Sequence, residues 1–453
     1  MNAKKQHIHL HKAGHDPRAA ALVAISRTLH EGVDSQAALD GVLAPAGLVP
    51  TDKRLCTEIV YGVLRWYLRL KDFSERYLTR PDKLPDEMRT SLLAALYEMA
   101  FLRVPHHGPV NWAVGHVRNR FGKELAGVAN GALRSMQRDL PDFFSAADEP
   151  FATRYAMPEW IVRLWSEHYG DVNTLAMLEA SQAAPPSGLR LNRAVDGWES
   201  LRLGLIRENE GSMRPVGPAG LAFSGSLPWH AKSLLKEGKA SRQSAASYEA
   251  LEAFDPGSWP GPVWDCCAGR GGKTMALLEQ GVPVALASDP SSRRLDELPR
   301  EYARLGLSTL PCPQLAALSA EAAAVMSLSP GDTPLPLGPG TVPPQSFGTI
   351  LVDAPCSGLG TLARRPEIRL RRTPEDLETM AGLQKAILEA VWPRLRSGGC
   401  LVYLTCTFNP AENEQQVEAF LRAHPDAAAG PEFRTPFHSP LREFFYGALL
   451  EKH

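Results

Sequence analysis

No stretch of the 453-residue sequence is long and apolar enough to cross a bilayer, and the opening "MNAKKQHIHLHK" lacks the apolar segment of a secretory signal. Cysteine is scarce and poorly spaced for metal. The seven cysteines are odd in number and none forms a C-x2-C pair. Cys266 and Cys267 are adjacent, which suits neither a zinc site nor an ordinary disulfide. No metal is therefore expected, and reduced thiols in a cytoplasmic protein are. Net charge is also missing: at −1, no global field attracts a polyanion, so any basic surface must be local. There is no internal repeat. What remains is an ordinary globular composition, 44% hydrophobic and 22% charged, with length enough for two or three domains.

The first 142 residues read as an all-helical domain. "DPRAAALVAISRTL" opens with an Asp-Pro helix start, and "RTSLLAALYEMAFLRV" repeats apolar residues at three- and four-residue spacing. Over residues 1–140, lysine and arginine outnumber aspartate and glutamate by 20 to 14, and eight of the 13 histidines fall there. That bias is modest, and a solvated helical surface produces it too. "HIHLH" at residues 7–11 reads as tail rather than metal site. Residues 143–235 are mixed and join this domain to the next. From residue 236 to residue 453 short apolar runs ("PVWDCC", "PVALASD", "FGTILVDAP", "GCLVYLTC") alternate with helical stretches. Such alternation predicts an α/β domain with a doubly wound, mostly parallel sheet. The Pro/Gly-rich residues 329–346 read as an insertion loop.

"VWDCCAGRGGKT" joins a strand to a helix through a glycine turn, which lets backbone N–H groups approach a ligand. A phosphate-binding P-loop needs a glycine where Cys267 stands, and a dinucleotide fingerprint needs one where Thr274 stands. An S-adenosylmethionine site needs only the turn and an acid on the next strand end. Asp289 supplies one, 20 residues beyond Gly269. A turn that merely joins strand to helix has the same pattern.

Asp353, Cys356 and Cys406 follow the ends of two other apolar runs, where open α/β sheets carry their chemistry. Methylation of carbon 5 of a cytosine needs such a set. That carbon is a weak nucleophile until a thiolate adds to carbon 6. A base must then remove the carbon-5 proton, and a carboxyl at the ring nitrogen stabilises the adduct. The target base must also stand clear of its helix.

"DAPCSGLG", "TCTFNPAENE" and "DCCAGRGGKT" closely resemble three blocks of the RsmB/Nop/Sun RNA 5-methylcytosine methyltransferases. The resemblance implies a Rossmann-like S-adenosylmethionine-dependent domain, with Cys406 as nucleophile, Cys356 assisting product release and Asp353 contacting the base. It places the cofactor on Cys267, Ala268, Gly269, Arg270, Gly271, Gly272 and Lys273, with Asp289 and Asp353. Upstream, "VPHHGPVNWAVGHVR" and "VANGALR" look like the NusB-type helical domain of bacterial ribosomal-RNA members. The expected partner is therefore RNA, ribosomal RNA first, with a monomeric protein. Transfer RNA is the alternative substrate, a non-catalytic RNA-binding assembly factor the alternative class, and a P-loop ATPase a third reading. Three departures stand out. Gly269-Arg270 replaces the family's usual Ala-Pro, "REFFYG" replaces Asp-Gly-Phe-Phe, and no clear acid holds the adenine, Ser319 or Glu321 lying nearest that place. The arginine-rich residues 364–372 suggest phosphate contacts by Arg364, Arg365 and Arg369.

Overall fold

The computed structural model describes residues 15–144, 149–307, 312–317 and 346–453. The histidines at 7–11, Ser319, Glu321 and nearly all of the 329–346 stretch lie outside them. The described residues fall into two compact units. One is drawn from Met1–Gln182 with Leu362–Arg371, the other from Ala183–Thr361 with Arg372–His453. The boundary expected at residue 142 thus falls inside the first unit, and the one at 235 inside the second.

The first unit is helical, as the periodicity predicted. Its core is built by α1 (Pro17–His30), α2 (Ser35–Leu43), α3 (Pro50–Glu75), α4 (Asp86–Phe101), α5 (His107–Phe121) and α6 (Lys123–Arg138). The Asp-Pro signal works as read: the Asp16 carboxylate accepts from the N–H groups of Arg18 and Ala19, a cap worth about 1 kcal/mol. Apolar faces of α1, α3, α4 and α6 meet in one core. Within it Glu98, 1% exposed, is held by both nitrogens of a bidentate Arg18 fork at 2.7 Å. Among the described residues no helix is long and apolar enough to cross a membrane.

The second unit contains two sheets. Strands β1 (Ser187–Leu191), β2 (Met213–Val216), β3 (Gly220–Phe223) and β4 (Ala240–Arg242) form an antiparallel four-stranded sheet in the order β2-β3-β1-β4. The larger sheet comprises β5 (Val263–Asp265), β6 (Val284–Ser288), β7 (Gln314–Ala316), β8 (Phe347–Asp353), β9 (Leu395–Thr405), β10 (Ala427–Arg434) and β11 (Tyr446–Lys452). Its order is β10-β11-β9-β8-β5-β6-β7. The pairs from β7 through β9 are parallel, whereas β11 runs antiparallel to β9 and β10 antiparallel to β11. This is a Rossmann-like, mostly parallel sheet. Strands β5 and β8 are neighbours although β6 and β7 intervene in sequence, so the winding reverses between them. Ligands of open α/β sheets gather at that crevice. The apolar runs are buried on both faces, as parallel strands covered by helices require: Ile350, Val352, Leu401 and Tyr403 enter one core, Leu351, Val402 and Leu404 the other.

Candidate active site

Parallel register brings the chemistry to one edge. Asp265 ends β5, pairing with Ala287 of β6 and Leu351 of β8, and Asp353 ends β8 opposite Leu404 of β9. Cys406 follows two residues beyond that partner, and Cys356 three beyond Asp353. The glycine turn leaves β5 at the same edge and opens the helix Gly272–Glu279.

Gly271 holds φ +79°, and a Cβ there would lie 2.5 Å from Leu298, so both conformation and packing demand glycine. On the outer side of the turn, a Cβ at Gly269 or Gly272 would meet nothing within 4 Å. This open cradle is closed at one end by Asp289, whose two oxygens accept from Gly269 N at 3.1 Å and Ser291 N at 2.9 Å. Each oxygen keeps a lone pair for a ligand hydroxyl. At the other end, Lys273 Nζ donates to Asp353 Oδ2 at 2.6 Å and lies 5.9 Å from the centre of the Phe445 ring. Phe445 is the second phenylalanine of "REFFYG", the part of that block that matches the family's Phe-Phe. Loop amides, a buried carboxylate and a Lys–Asp pair suit the hydroxyls and the amino-acid end of S-adenosylmethionine. The Arg270 side chain does not join them: it is 71% exposed and lies 3.6 Å from Glu297. Beneath the turn, fully buried Asp265 accepts from Thr274 Oγ1 at 2.6 Å. Its burial, reinforced by nearby Asp353, pushes its pKa up to about 7 against the Thr274 hydrogen bond.

The two thiols predicted at strand ends meet. Cys356 Sγ and Cys406 Sγ are 3.2 Å apart, and Cys406 N–H also points at Cys356 Sγ, at 3.4 Å. The hydrogen bond shared with the Cys406 sulfur, followed by burial, pushes the Cys356 thiol well above its ordinary value.

Glu412 is the residue that sequence reasoning missed. It is fully buried, and neutral groups hold its carboxylate: Ser357 N (2.8 Å), Gln384 Nε2 (3.0 Å) and Asn409 Nδ2 (3.0 Å) donate to it. Ser357 directly follows Cys356, and Asn409 lies three residues after Cys406. One carboxylate therefore ties the two thiol loops together. Tyr403 OH donates to Glu412 O, Thr405 Oγ1 to Asn413 Oδ1, and Asn413 Nδ2 to Thr407 O, so "NPAENE" folds back beneath Cys406. Gly360 completes the clamp. Its N–H donates to Cys406 O, and a Cβ would lie 2.8 Å from that oxygen and 2.0 Å from Phe444 O. The visible signal was the acid within "NPAENE", but its partners come from three separate segments.

The expected RNA contact by Arg369 is corrected. Arg369 is 1% exposed, and its guanidinium donates to the carbonyls of Arg65, Tyr155, Ala156 and Ser181. Burial and the Arg65 charge pull its pKa down to about 9. It has no surface to offer a phosphate. The segment Leu362–Arg371 belongs to the first unit, and Arg371 likewise donates to Thr28 O and Val33 O there. Arg365 is half exposed but lies 2.8 Å from Asp34 and 3.6 Å from Glu367, and Arg364 is exposed. Among the described residues no cluster of side chains could hold a metal ion.

Known proteins resemble this chain over most of its length. Residues 256–440 match the family model described as 16S rRNA methyltransferase RsmB/F, and residues 15–138 match that of the NusB family. A probable ribosomal RNA small subunit methyltransferase B from Synechocystis is 33% identical over 88% of this chain and 87% of its own. The ribosomal RNA small subunit methyltransferase B of Vibrio cholerae is 31% identical over 96% of this chain and 98% of its own. The crystal structure of a methyltransferase homologue from Pyrococcus horikoshii covers 67% of this chain and 98% of its own at TM-score 0.55 and 23% identity, a likeness of fold. At such identity over nearly its whole length, the chain belongs to the ribosomal RNA small subunit methyltransferase B family.

Proposed function

We propose that this protein methylates carbon 5 of a cytosine in RNA, small-subunit ribosomal RNA first, through a covalent adduct between Cys406 and the base. The observation that carries this reading is the convergence of two thiols, 3.2 Å apart, beside the end of the strand that carries Asp353. A single nucleophile would explain one of them. Methylation at carbon 5 uses both. The relatives' names direct the reading towards small-subunit ribosomal RNA, and the helical region to residue 142 is assigned to holding it.

When bound, S-adenosylmethionine supplies an electrophilic methyl group. Cys406, as thiolate, adds its sulfur to carbon 6 of the base, which makes carbon 5 nucleophilic while Asp353 meets the ring-nitrogen edge. Lys273 fixes one oxygen of Asp353 and leaves the other for the base. After carbon 5 has gained the methyl group, deprotonated Cys356 takes its proton. The carbon 5–carbon 6 double bond reforms, and the bond to Cys406 breaks. Bisulfite sequencing of small-subunit ribosomal RNA from cells with and without the protein tests the assignment. One cytosine should lose its protection in the cells that lack the protein. Identical patterns would overturn the assignment.

Two further results are expected. Asp289→Ala removes the acceptor at the end of the cradle, and hydrogen bonds to a charged group are worth about 1.5–3 kcal/mol. Calorimetry should show S-adenosylmethionine binding roughly ten- to a hundredfold weaker; unchanged affinity would place the ribose elsewhere. The second concerns pH. The raised pKa of Cys356 leaves little of the base form at neutrality, so adduct breakdown in a single turnover should accelerate by up to about tenfold per unit of rising pH. A flat profile would assign the proton to another group.

A further inference from the structure

Behind the glycine turn, within the second unit, lies an open cleft of about 530 Å³. None of Cys267, Ala268, Gly269, Lys273, Asp289 or Asp353 lines it, so it is a different space from the cofactor cradle. Gly271 and Gly272 form the shared wall. The lining is dominated by arginines: Arg190, Arg242, Arg270, Arg300 and Arg304, accompanied by the carboxylates Glu297 and Glu301.

The ion pairs decide how much charge is free. Arg190 is spent on buried Glu279, with both nitrogens at 2.7 Å, and Arg304 is spent on Glu301 and Ser241. Among the described residues Glu297 pairs with the exposed Arg270, at 3.6 Å, a pair of little energetic weight in water. Arg242 and Arg300 are exposed and have no acidic partner among the described residues. The cleft therefore carries two uncompensated guanidinium groups and a third that is loosely held. Pockets for drug-sized ligands are lined mostly by apolar side chains, which this one is not. Guanidinium forks match phosphate oxygens, and exposed ones suit a strand that runs past rather than a small anion enclosed.

We infer that this cleft binds backbone phosphates of the substrate RNA, Arg242 and Arg300 contacting the phosphodiester oxygens with Arg270 beside them. The inference rests on the proposed RNA substrate and adds to it a docking site behind the cofactor turn. Such contacts fix the strand's register without reading its sequence.

The test uses the full chain and a transcript of small-subunit ribosomal RNA. The double variant Arg242→Gln/Arg300→Gln should bind the transcript about ten- to a hundredfold more weakly. Its plot of log affinity against log salt should be shallower by roughly 0.7–0.9 for each phosphate that is no longer neutralised. Affinity for S-adenosylmethionine should be unchanged. The variant Arg396→Gln/Arg422→Gln, with the same charge change at exposed positions elsewhere in the unit, should behave as wild type. If the cleft variant binds RNA with wild-type affinity and slope while the wild type methylates the transcript, the cleft has no such role and the function stands. Equal weakening in both double variants would make the effect one of general charge, and loss of S-adenosylmethionine binding would assign the cleft to the cofactor; either overturns the inference. A wild type that neither binds nor methylates RNA overturns the cleft and the function together.

Discussion

Cys356→Ala protein, mixed with RNA and S-adenosylmethionine, should accumulate a protein–RNA adduct that survives denaturing electrophoresis. Cys406 remains able to add to the base, and carbon 5 remains able to take the methyl group, but the thiol that removes the proton is gone. Loss of a positioned base slows its step by about 10²–10⁴-fold, enough to make the adduct the dominant species. Cys406→Ala should give no adduct, and methyl transfer should fall by more than about 10⁴-fold, the scale of losing a nucleophile. The double variant should resemble Cys406→Ala. The thiols are within 3.2 Å of one another, so position alone does not separate their roles. The contexts of the two blocks do: Cys406 in "TCTFNPAENE" corresponds to the family's nucleophile and Cys356 in "DAPCSGLG" to the cysteine that assists release. An adduct in Cys406→Ala and none in Cys356→Ala would exchange the two assignments. Methylation intact in both would end the covalent mechanism.

Glu412→Ala should cost roughly 3–5 kcal/mol of stability and most of the activity. Truncation leaves three donors, on Ser357, Gln384 and Asn409, without their acceptor in a dry interior. Each unsatisfied buried group costs about 1–3 kcal/mol, and only Gln384 has another acceptor, Pro355 O. The loops bearing Cys356 and Cys406 would then be without their common anchor. Glu412→Gln separates the effects on stability and on chemistry. It preserves the volume, but its NH2 opposes one of the donors, so the thiol loops should shift while the fold survives. The expected outcome is a smaller loss of melting temperature, S-adenosylmethionine affinity near wild type, and adduct formation slowed at least tenfold. Wild-type adduct formation in Glu412→Gln would reduce the clamp to a structural support.

How far the sequence revealed this site depended on the range of the forces involved. Strand ends at Asp265, Asp289 and Asp353 were legible because apolar runs stop sharply at an acid or a turn. The sheet then follows from the alternation with helices, since parallel strands need covered faces. The helical start at Asp16 was equally local. Arg369 failed for the opposite reason. Five arginines in nine residues look solvated, but the acceptors that bury this one come from residues 65, 155, 156 and 181. Nothing within the segment announces them. The Lys273–Asp353 pair and the Glu412 clamp were hidden likewise, because Lys273 with Asp353, and Ser357 and Gln384 with Glu412, are brought together only by the fold. The motifs marked these residues, but burial and pairing assigned their work.

The most direct test is to identify the methylated nucleoside. Wild-type protein and Cys406→Ala are each incubated with small-subunit ribosomal RNA and S-adenosylmethionine labelled in its methyl group. The RNA is then digested to nucleosides and resolved by chromatography with mass detection. The label should run as 5-methylcytidine with the wild type, and none should be incorporated by Cys406→Ala. Label in any other nucleoside, or 5-methylcytidine formed undiminished by Cys406→Ala, would contradict methylation through a Cys406–cytosine adduct.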